Sequence, residues 1–185
     1  KMEFIIVDDN SSDGTENIIE DISEKDSRVK YVNSSSGGST LANKKRALDA
    51  GIQFSTGEIL LFTDVDCRVT NKWVQSMASY FSDDVDFVIG NSKTPESVNW
   101  ISSFQKIDYL MLMNATCGSV NCNWYWSSTG QNQAFRRKVY DACGGYTSLS
   151  KYLQGDDSFV RNIIVFRGDG WCKLHTNRAS VNKIE

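Results

Sequence analysis

The stretch that decides the fold occupies positions 59–66 and runs Ile59-Leu60-Leu61-Phe62-Thr63-Asp64-Val65-Asp66. Its opening apolar run predicts a strand covered on both faces, as in an α/β sheet. Asp64 and Asp66 follow at the carboxyl end of that strand, where open α/β sheets bind ligands. Residues i and i+2 of an extended segment point the same way, so both carboxylates can face one site. Such oxygen ligands suit a hard divalent cation that holds a diphosphate. A strand end followed by a solvated acidic turn is the alternative.

The composition is that of an ordinary globular protein. The 185 residues are 40% hydrophobic and 23% charged, which fits one large domain or a piece of a longer protein. The net charge of −3 argues against a nucleic-acid-binding protein, which needs a basic surface. Two local basic clusters, residues 44–46 and 136–138, suit a small ligand that carries phosphate.

The five cysteines are odd in number and lack the paired spacing of a zinc site. They therefore predict reduced thiols and a reducing compartment. No apolar stretch approaches the ~20 residues that span a bilayer.

Strands and helices alternate along the chain, which predicts one α/β domain with a mixed sheet. The predicted strands are residues 2–7, 28–32, 58–63, 86–90 and 171–174. The predicted helices are residues 15–25, 41–54, 71–81, 97–114 and 156–166, with a short one between 135 and 144. Residues 34–40 are expected to form a flexible Ser/Gly loop and residues 115–128 an irregular segment. Lys45 and Arg46 are expected on a solvated helix face.

Acidic residues recur at 8–9, 64–66 and 156–157, an outline that several protein classes share. A two-component receiver domain would use residues 7–10 as its acid pair, Asp64 as phosphoacceptor and Lys106 as its later lysine. The residues after Asp64 lack the Pro- and Gly-containing loop of that class. A receiver domain of the expected size would also leave about 80 residues of this chain unexplained.

A haloacid-dehalogenase-like phosphatase is the second class, with Asp64 and Asp66 as nucleophile and acid and residues 155–157 as metal-binding acids. Its motif places Thr or Val two residues after the second Asp, where this chain has Arg68. That motif also belongs near the start of the fold.

The third class accounts for nearly the full length. The chain resembles the inverting family 2 glycosyltransferases of the GT-A fold, in order and spacing, through residues 4–15, 43–51, 55–58, 62–67, Trp73, 130–137, 144–146 and 155–157. The resemblance implies a GT-A-like, Rossmann-type mixed sheet, mostly parallel and flanked by helices. It implies a nucleotide-binding half of about residues 1–92 and an acceptor-binding half of about residues 93–185.

The resemblance also implies roles on the donor side. Asp8 accepts a hydrogen bond from a uracil-like base and Asp9 supports the turn. Lys44 lies near the nucleotide, where its charge offsets the diphosphate. Asp64 lies near the ribose, and Asp66 coordinates Mn²⁺ or Mg²⁺ that bridges the phosphates of a donor expected to be UDP-linked.

On the acceptor side the resemblance implies Asp157 as the general base, with burial or Asp156 raising its proton affinity. A single base opposite the leaving group gives inversion. Asn132 and the aromatic side chains of Trp124 and Trp126 are expected to face the acceptor, a glycan or a lipid-linked hydroxyl.

Within this family, the chain resembles bacterial, membrane-associated members. The resemblance therefore implies a location on the cytoplasmic side of the inner membrane, with membrane contact through segments outside this chain. The family's first strand is expected before Lys1, which indicates a fragment of a longer chain. The Gln-Arg-Trp segment of processive members does not occur, which leaves processivity open. Asn43 stands where the family usually has Gly, and Arg136 is expected either to touch phosphate or to pair with acids.

Overall fold

The computed structural model describes residues 2–83, 85–93, 100–122, 128–149 and 173–183. The chain divides into two compact units, residues 1–58 with 141–156 and residues 59–140 with 157–185.

The first unit begins with a parallel strand pair joined by a helix. Strand β1 (Phe4–Asp8) pairs in parallel with β2 (Val29–Asn33), and helix α1 (Thr15–Lys25) connects them. This crossover is the right length for a βαβ arrangement, and it confirms the strands and the helix expected here. The carboxyl ends of both strands, Asp8 and Asn33, lie opposite each other, so the turns after them leave the same edge of the sheet.

Helix α2 (Asn43–Phe54) packs closely on β1. A Cβ atom at Gly51 would lie 2.8 Å from Cγ2 of Val7, closer than real carbon atoms approach, so the contact requires glycine. The apolar core of this unit is contributed by α1, β2, α2 and the loop before α2 through Ile19, Val32, Leu41, Ala50 and Ile52.

The second unit contains a five-stranded sheet in the order β3-β6-β5-β7-β4. Its strands are β3 (Ile59–Phe62), β4 (Cys67–Arg68), β5 (Val85–Lys93), β6 (Gln133–Arg136) and β7 (Lys173–Lys183). Among the described strands of this unit, the β5–β7 pairing is parallel and the other three pairings are antiparallel.

Three helices accompany this sheet: α3 (Trp73–Ala78), α4 (Trp100–Asn121) and α5 (Arg137–Ala142). Trp73 and Met77 of α3 pack against Val85, Val88 and Ala134 in the core. In the described ranges, no helix has the combined length and apolar character that crossing a membrane requires.

The α/β fold class with a mixed sheet and flanking helices is confirmed. Among the described strands, however, the antiparallel pairings outnumber the parallel ones because β6 inserts between β3 and β5. The division at residue 92 into a nucleotide half and an acceptor half concerns function and stays a prediction.

Several element boundaries differ from the expected ones. The expected irregular segment from residue 115 is wrong at its start, because α4 continues to Asn121. Hydroxyls there bond to the helix itself, since Thr116 Oγ1 donates to the Leu112 carbonyl (3.0 Å). Strands β4 and β6 were not expected, because two and four residues are too short to show an alternating pattern. The expected helix 156–166 lies outside the described residues.

Candidate functional site

Asp8 and Asp9 occupy the edge where β1 ends. Asp8 is buried, and both of its carboxylate oxygens accept from the Ser11 backbone N–H at 3.1 and 3.3 Å. Asn10 between them has a left-handed φ of 62°, which Asn tolerates better than most residues. Asp8 itself therefore holds the turn, a role that the sequence analysis gave to Asp9.

Asp9 instead connects the turns that follow the two strands. Its exposed carboxylate accepts from the buried hydroxyl of Ser34, with 2.5 Å between Oδ1 and Oγ. Ser34 begins a 3₁₀ helix (Ser34–Ser36) directly after β2. The acid pair thus lies at the carboxyl end of β1 and is joined to the turn after the adjacent parallel strand β2, at the edge where such sheets bind ligands.

The start of α2 brings a left-handed residue and two lysines together. Asn43 has φ 52°, a conformation that favours Gly and tolerates Asn, which explains physically how Asn replaces the family's usual Gly. Lys44 is exposed in the first helical turn. A cation there opposes the helix macrodipole, and a bound anion would relieve that opposition.

The expectation of a solvated face for Lys45 is wrong. Its side chain is only 5% exposed and Arg46 is half-buried, because the Ser/Gly loop closes over this face of α2. At Gly37 a Cβ atom would lie within van der Waals overlap of the Arg46 carbonyl oxygen, so the loop backbone rests directly on the helix.

Asp49 secures this loop and was missed by the sequence analysis. Its buried carboxylate accepts from the Gly38 backbone N–H (2.9 Å) and from Gln53 Nε2 (2.7 Å). The loop from residue 34 to 40 is therefore joined to α2 at Gly38, and its flexibility stays a prediction. The available signal was helical spacing, since Asp49 follows Lys45 by four residues on the same face.

The acidic turn of the second unit follows β3. Asp64 and Asp66 are half-buried, and Val65 between them is 98% exposed. The turn is closed by the Cys67 backbone N–H, which donates to the Asp64 carbonyl at 3.1 Å. Cys67 Sγ donates to Asp66 Oδ1 at 3.6 Å. Burial raises the pKa of the Cys67 thiol, and the charges of Asp66 and Asp64 raise it further.

This donor set fits a hard divalent cation. Two carboxylates supply the oxygen ligands that Mg²⁺ and Mn²⁺ prefer. In the part of the chain that the structure describes, no cluster of three His, Cys, Asp or Glu side chains forms a complete metal site. A cation held by Asp64 and Asp66 would thus keep positions for ligand oxygens, as Mg²⁺ does when it binds substrate phosphates.

Asn132 lies in the interior of the second unit. Its Oδ1 accepts from Trp73 Nε1 (2.9 Å) and its Nδ2 donates to the Asn91 carbonyl (2.8 Å). A Cβ atom at Gly90 would overlap this side chain. Through these contacts Asn132 joins α3 to β5. The expected role of Asn132 toward the acceptor stays a prediction.

Arg136 was expected either to touch phosphate or to pair with acids, and its contacts distinguish the two. Its guanidinium donates to the carbonyls of Val85 (3.1 Å) and Ser82 (3.0 Å) and stacks over Phe81. It also lies 3.8 Å from the buried carboxylate of Asp86. These contacts favour pairing over phosphate binding.

The remaining predicted site residues, Asp156, Asp157, Trp124 and Trp126, lie outside the described residues. In the first unit, the structure therefore joins Asp9 to Ser34 directly after Asp8. In the second unit, it places Asp64 and Asp66 in one turn, where Cys67 contacts the Asp64 carbonyl and the Asp66 carboxylate.

Comparisons with known structures show the same fold. A mannosyltransferase from Pyrobaculum calidifontis, PcManGT, solved in complex with GDP-Man and Mn²⁺, is similar with a TM-score of 0.68 and 18% identity. The similarity covers 98% of this chain and 47% of that one. A structure described as a mycobacterial protein gives a TM-score of 0.57 and 18% identity over 99% of this chain and 56% of that one. This chain thus spans about half the length of these two proteins.

A search of curated proteins gives no match. The sequence model of the family described as Glycosyl transferase family 2 matches residues 1–151, most of the chain's 185 residues. This match does not favour the receiver or the phosphatase alternative. The chain belongs to glycosyl transferase family 2.

Proposed function

We propose that this chain transfers a sugar from a nucleoside-diphosphate donor to an acceptor hydroxyl, with inversion at the anomeric carbon and with help from a divalent cation. The observation that carries the proposal is the acidic turn, where the half-buried side chains of Asp64 and Asp66 follow directly after β3 and the Cys67 backbone N–H donates to the Asp64 carbonyl at 3.1 Å. That strand is apolar throughout, and the chain is a member of family 2.

Three residues of the first unit are assigned to the donor. Asp8 is a buried carboxylate at a strand end and accepts an N–H of the base, for which uracil is proposed. Asp9 holds the adjoining turn to Ser34. The exposed ammonium of Lys44 offsets the charge of the diphosphate. The similar mannosyltransferase holds GDP-Man, which supports a nucleoside-diphosphate donor without deciding the base.

The cation is assigned to Asp66, with Asp64 beside it and toward the ribose. Mn²⁺ or Mg²⁺ supplies Lewis-acid stabilisation of a departing diphosphate when it is bound. The Mn²⁺ in the similar mannosyltransferase supports this assignment.

The chemical step is assigned to Asp157, supported by Asp156. Asp157 takes the proton of the acceptor hydroxyl, whose oxygen forms a bond to the anomeric carbon. The bond from that carbon to the diphosphate oxygen breaks, and the nucleoside diphosphate leaves with the electron pair. Attack from the face opposite the leaving group inverts the centre.

The acceptor is proposed to be a bacterial glycan or a lipid-linked hydroxyl, met by Trp124, Trp126 and Asn132. We also propose that the enzyme acts on the cytoplasmic side of the inner membrane, which it contacts through segments outside this chain. These assignments rest on the family resemblance.

Titration calorimetry tests the donor site directly. UDP and GDP are titrated into the chain with Mn²⁺ and after chelation, for the unchanged sequence and for Asp66→Asn. Binding should require Mn²⁺, and Asp66→Asn should weaken it by about 3 kcal/mol or more. Asp21→Asn is the matched control, because Asp21 is exposed on α1. Equal affinity with and without the cation would contradict the metal assignment.

A further inference from the structure

Helix α4 exposes an unusually apolar surface. Trp100, Phe104, Ile107 and Met111 are 79%, 66%, 57% and 66% exposed. Their spacing of four, three and four residues places them in one stripe along the helix. With Asn114 and Gly118, which continue the same spacing and are also exposed, they form what we call the outer seam.

The opposite side of α4 is already packed. Met113 and Thr116 are buried, and the Tyr109 hydroxyl lies 3.4 Å from Thr129 Oγ1. A helix that is apolar on both its packed side and its outer side is normally buried all round. The outer seam therefore calls for a covering surface, and its spacing is that of the contact line between two paired helices.

The charges of α4 favour a protein over a membrane as the covering surface. Lys106 and Asp108 are its only charged residues. Helices that lie on membranes carry several Lys or Arg residues on their polar face, and α4 does not.

The outer seam is self-complementary when two copies run antiparallel. Its amino-terminal half carries large side chains and its carboxyl-terminal half ends in Gly118. A twofold axis at residue 109 sets Trp100 against Gly118, Phe104 against Asn114 and Ile107 against Met111. A parallel pair would instead set Trp100 on Trp100 and leave a gap at Gly118. Large side chains facing small ones pack without voids.

We infer that α4 is a self-association surface on which a second copy of this chain packs its own α4 antiparallel, with Trp100 of each copy seated at Gly118 of the other. Gly118 supports this directly, because a Cβ atom there would meet nothing within 4 Å. The packing of the chain itself therefore does not require glycine at position 118.

The exposed area is of the size that association needs. Seven large apolar side chains of α4 are exposed, namely Trp100, Ile101, Phe104, Ile107, Leu110, Met111 and Leu112. Together they offer on the order of 700 Å². A stable interface buries about 800 Å² on each partner, so most of this surface fits within one dimer contact.

Sedimentation velocity over a range of concentrations tests the inference. The chain should pass from monomer to dimer, and Gly118→Gln should raise the dimer dissociation constant by about tenfold. The same variant should melt at an equal or higher temperature at monomer concentrations, since Gln is a better helix former than Gly. Gln105→Ala is the control, because Gln105 is exposed on α4 but lies off the outer seam and outside the apolar area counted above.

A charge exchange tests the antiparallel register. Ile107→Glu and Met111→Lys should each abolish the dimer, and the double variant should restore it, because the new charges face each other across the twofold axis. A parallel pair would not be restored. A chain that stays monomeric throughout, or whose association is unaffected by Gly118→Gln, overturns the inference. So does binding of the monomer to phosphatidylcholine vesicles that is lost in Trp100→Ala, which would assign the surface to lipid.

Discussion

At the scale of single residues, Glu3 makes several polar contacts that join separate parts of the first unit. Its Oε2 accepts from Lys30 Nζ (2.7 Å), and its Oε1 accepts from the backbone N–H groups of Thr56 (2.6 Å) and Gly57 (3.0 Å). The hydrogen bonds from Lys30 and Thr56 lower the pKa of Glu3 to about 2. One carboxylate thereby joins β1, β2 and the loop after α2.

Glu3→Gln should lower the free energy of unfolding by about 1–2 kcal/mol at neutral pH, because a charged acceptor is lost. The pKa of Glu3 is lower in the folded state than its ordinary value of 4.5. Its contribution is therefore fully present above that value and disappears as the pH falls toward 2. Urea unfolding at several pH values should show the difference between the two proteins narrowing in acid.

Asp26→Asn provides the comparison for Glu3. Asp26 pairs with Arg28 on the surface (2.7 Å), and exposed ion pairs contribute little. A Glu3→Gln protein as stable as the original, or a difference that does not depend on pH, would contradict the role given to Glu3.

Residues in turns could be predicted from the sequence, whereas buried polar residues could not. Asp13 and Gly14 form the expected turn, with Gly14 at φ 86° and the Asp13 carboxylate accepting from Thr15. Turn chemistry is local, so residue type suffices. Burial of Lys45 and Asp49 depends on a loop that arrives from outside the helix, and helical spacing alone does not reveal which face that loop covers.

At the scale of elements, the adjacent lysines of α2 differ in burial, since Lys44 is exposed and Lys45 is buried. Lys44→Met should leave the free energy of unfolding within about 0.5 kcal/mol, as for most exposed sites. It should weaken UDP binding by roughly tenfold, because a charge near the diphosphate is lost. Lys45→Met makes the same chemical change at a buried site, where ammonium groups require polar partners. It should cost about 2–3 kcal/mol of stability.

Chemical denaturation and calorimetry on both variants separate the two effects. If Lys44→Met binds UDP as the original chain does, Lys44 is not a nucleotide residue. If Lys45→Met is as stable as the original chain, the buried ammonium group of Lys45 does not contribute to the free energy of unfolding.

At the same scale, strands were predictable where they carry apolar runs. Strands β1 and β3 could be predicted because residues 4–7 and 59–62 are continuous apolar runs. A strand covered on both faces needs such a run. Strand β6 is mixed in composition, Gln-Ala-Phe-Arg. Its antiparallel insertion between β3 and β5 is set by tertiary pairing, which a local pattern does not contain.

At the scale of the whole molecule, the proposed reaction separates donor binding from transfer. Asp157→Asn should keep the Mn²⁺-dependent affinity for UDP while turnover falls by about 10²–10⁴-fold, the usual contribution of a general base. Calorimetry and a transfer assay on the same preparation measure the two quantities. Normal turnover in Asp157→Asn would remove it as the base, even if the donor site were confirmed.

The first unit is assembled from two distant parts of the chain. Residues 141–156 belong with residues 1–58, and the 3₁₀ helix Tyr146–Leu149, with its fully buried Tyr146, packs on α2. During synthesis, the surface of α2 that this helix covers stays bare until the whole intervening segment has emerged from the ribosome. Until residues 141–156 have emerged, the nascent chain therefore presents that surface to chaperones, and the first unit cannot complete its core.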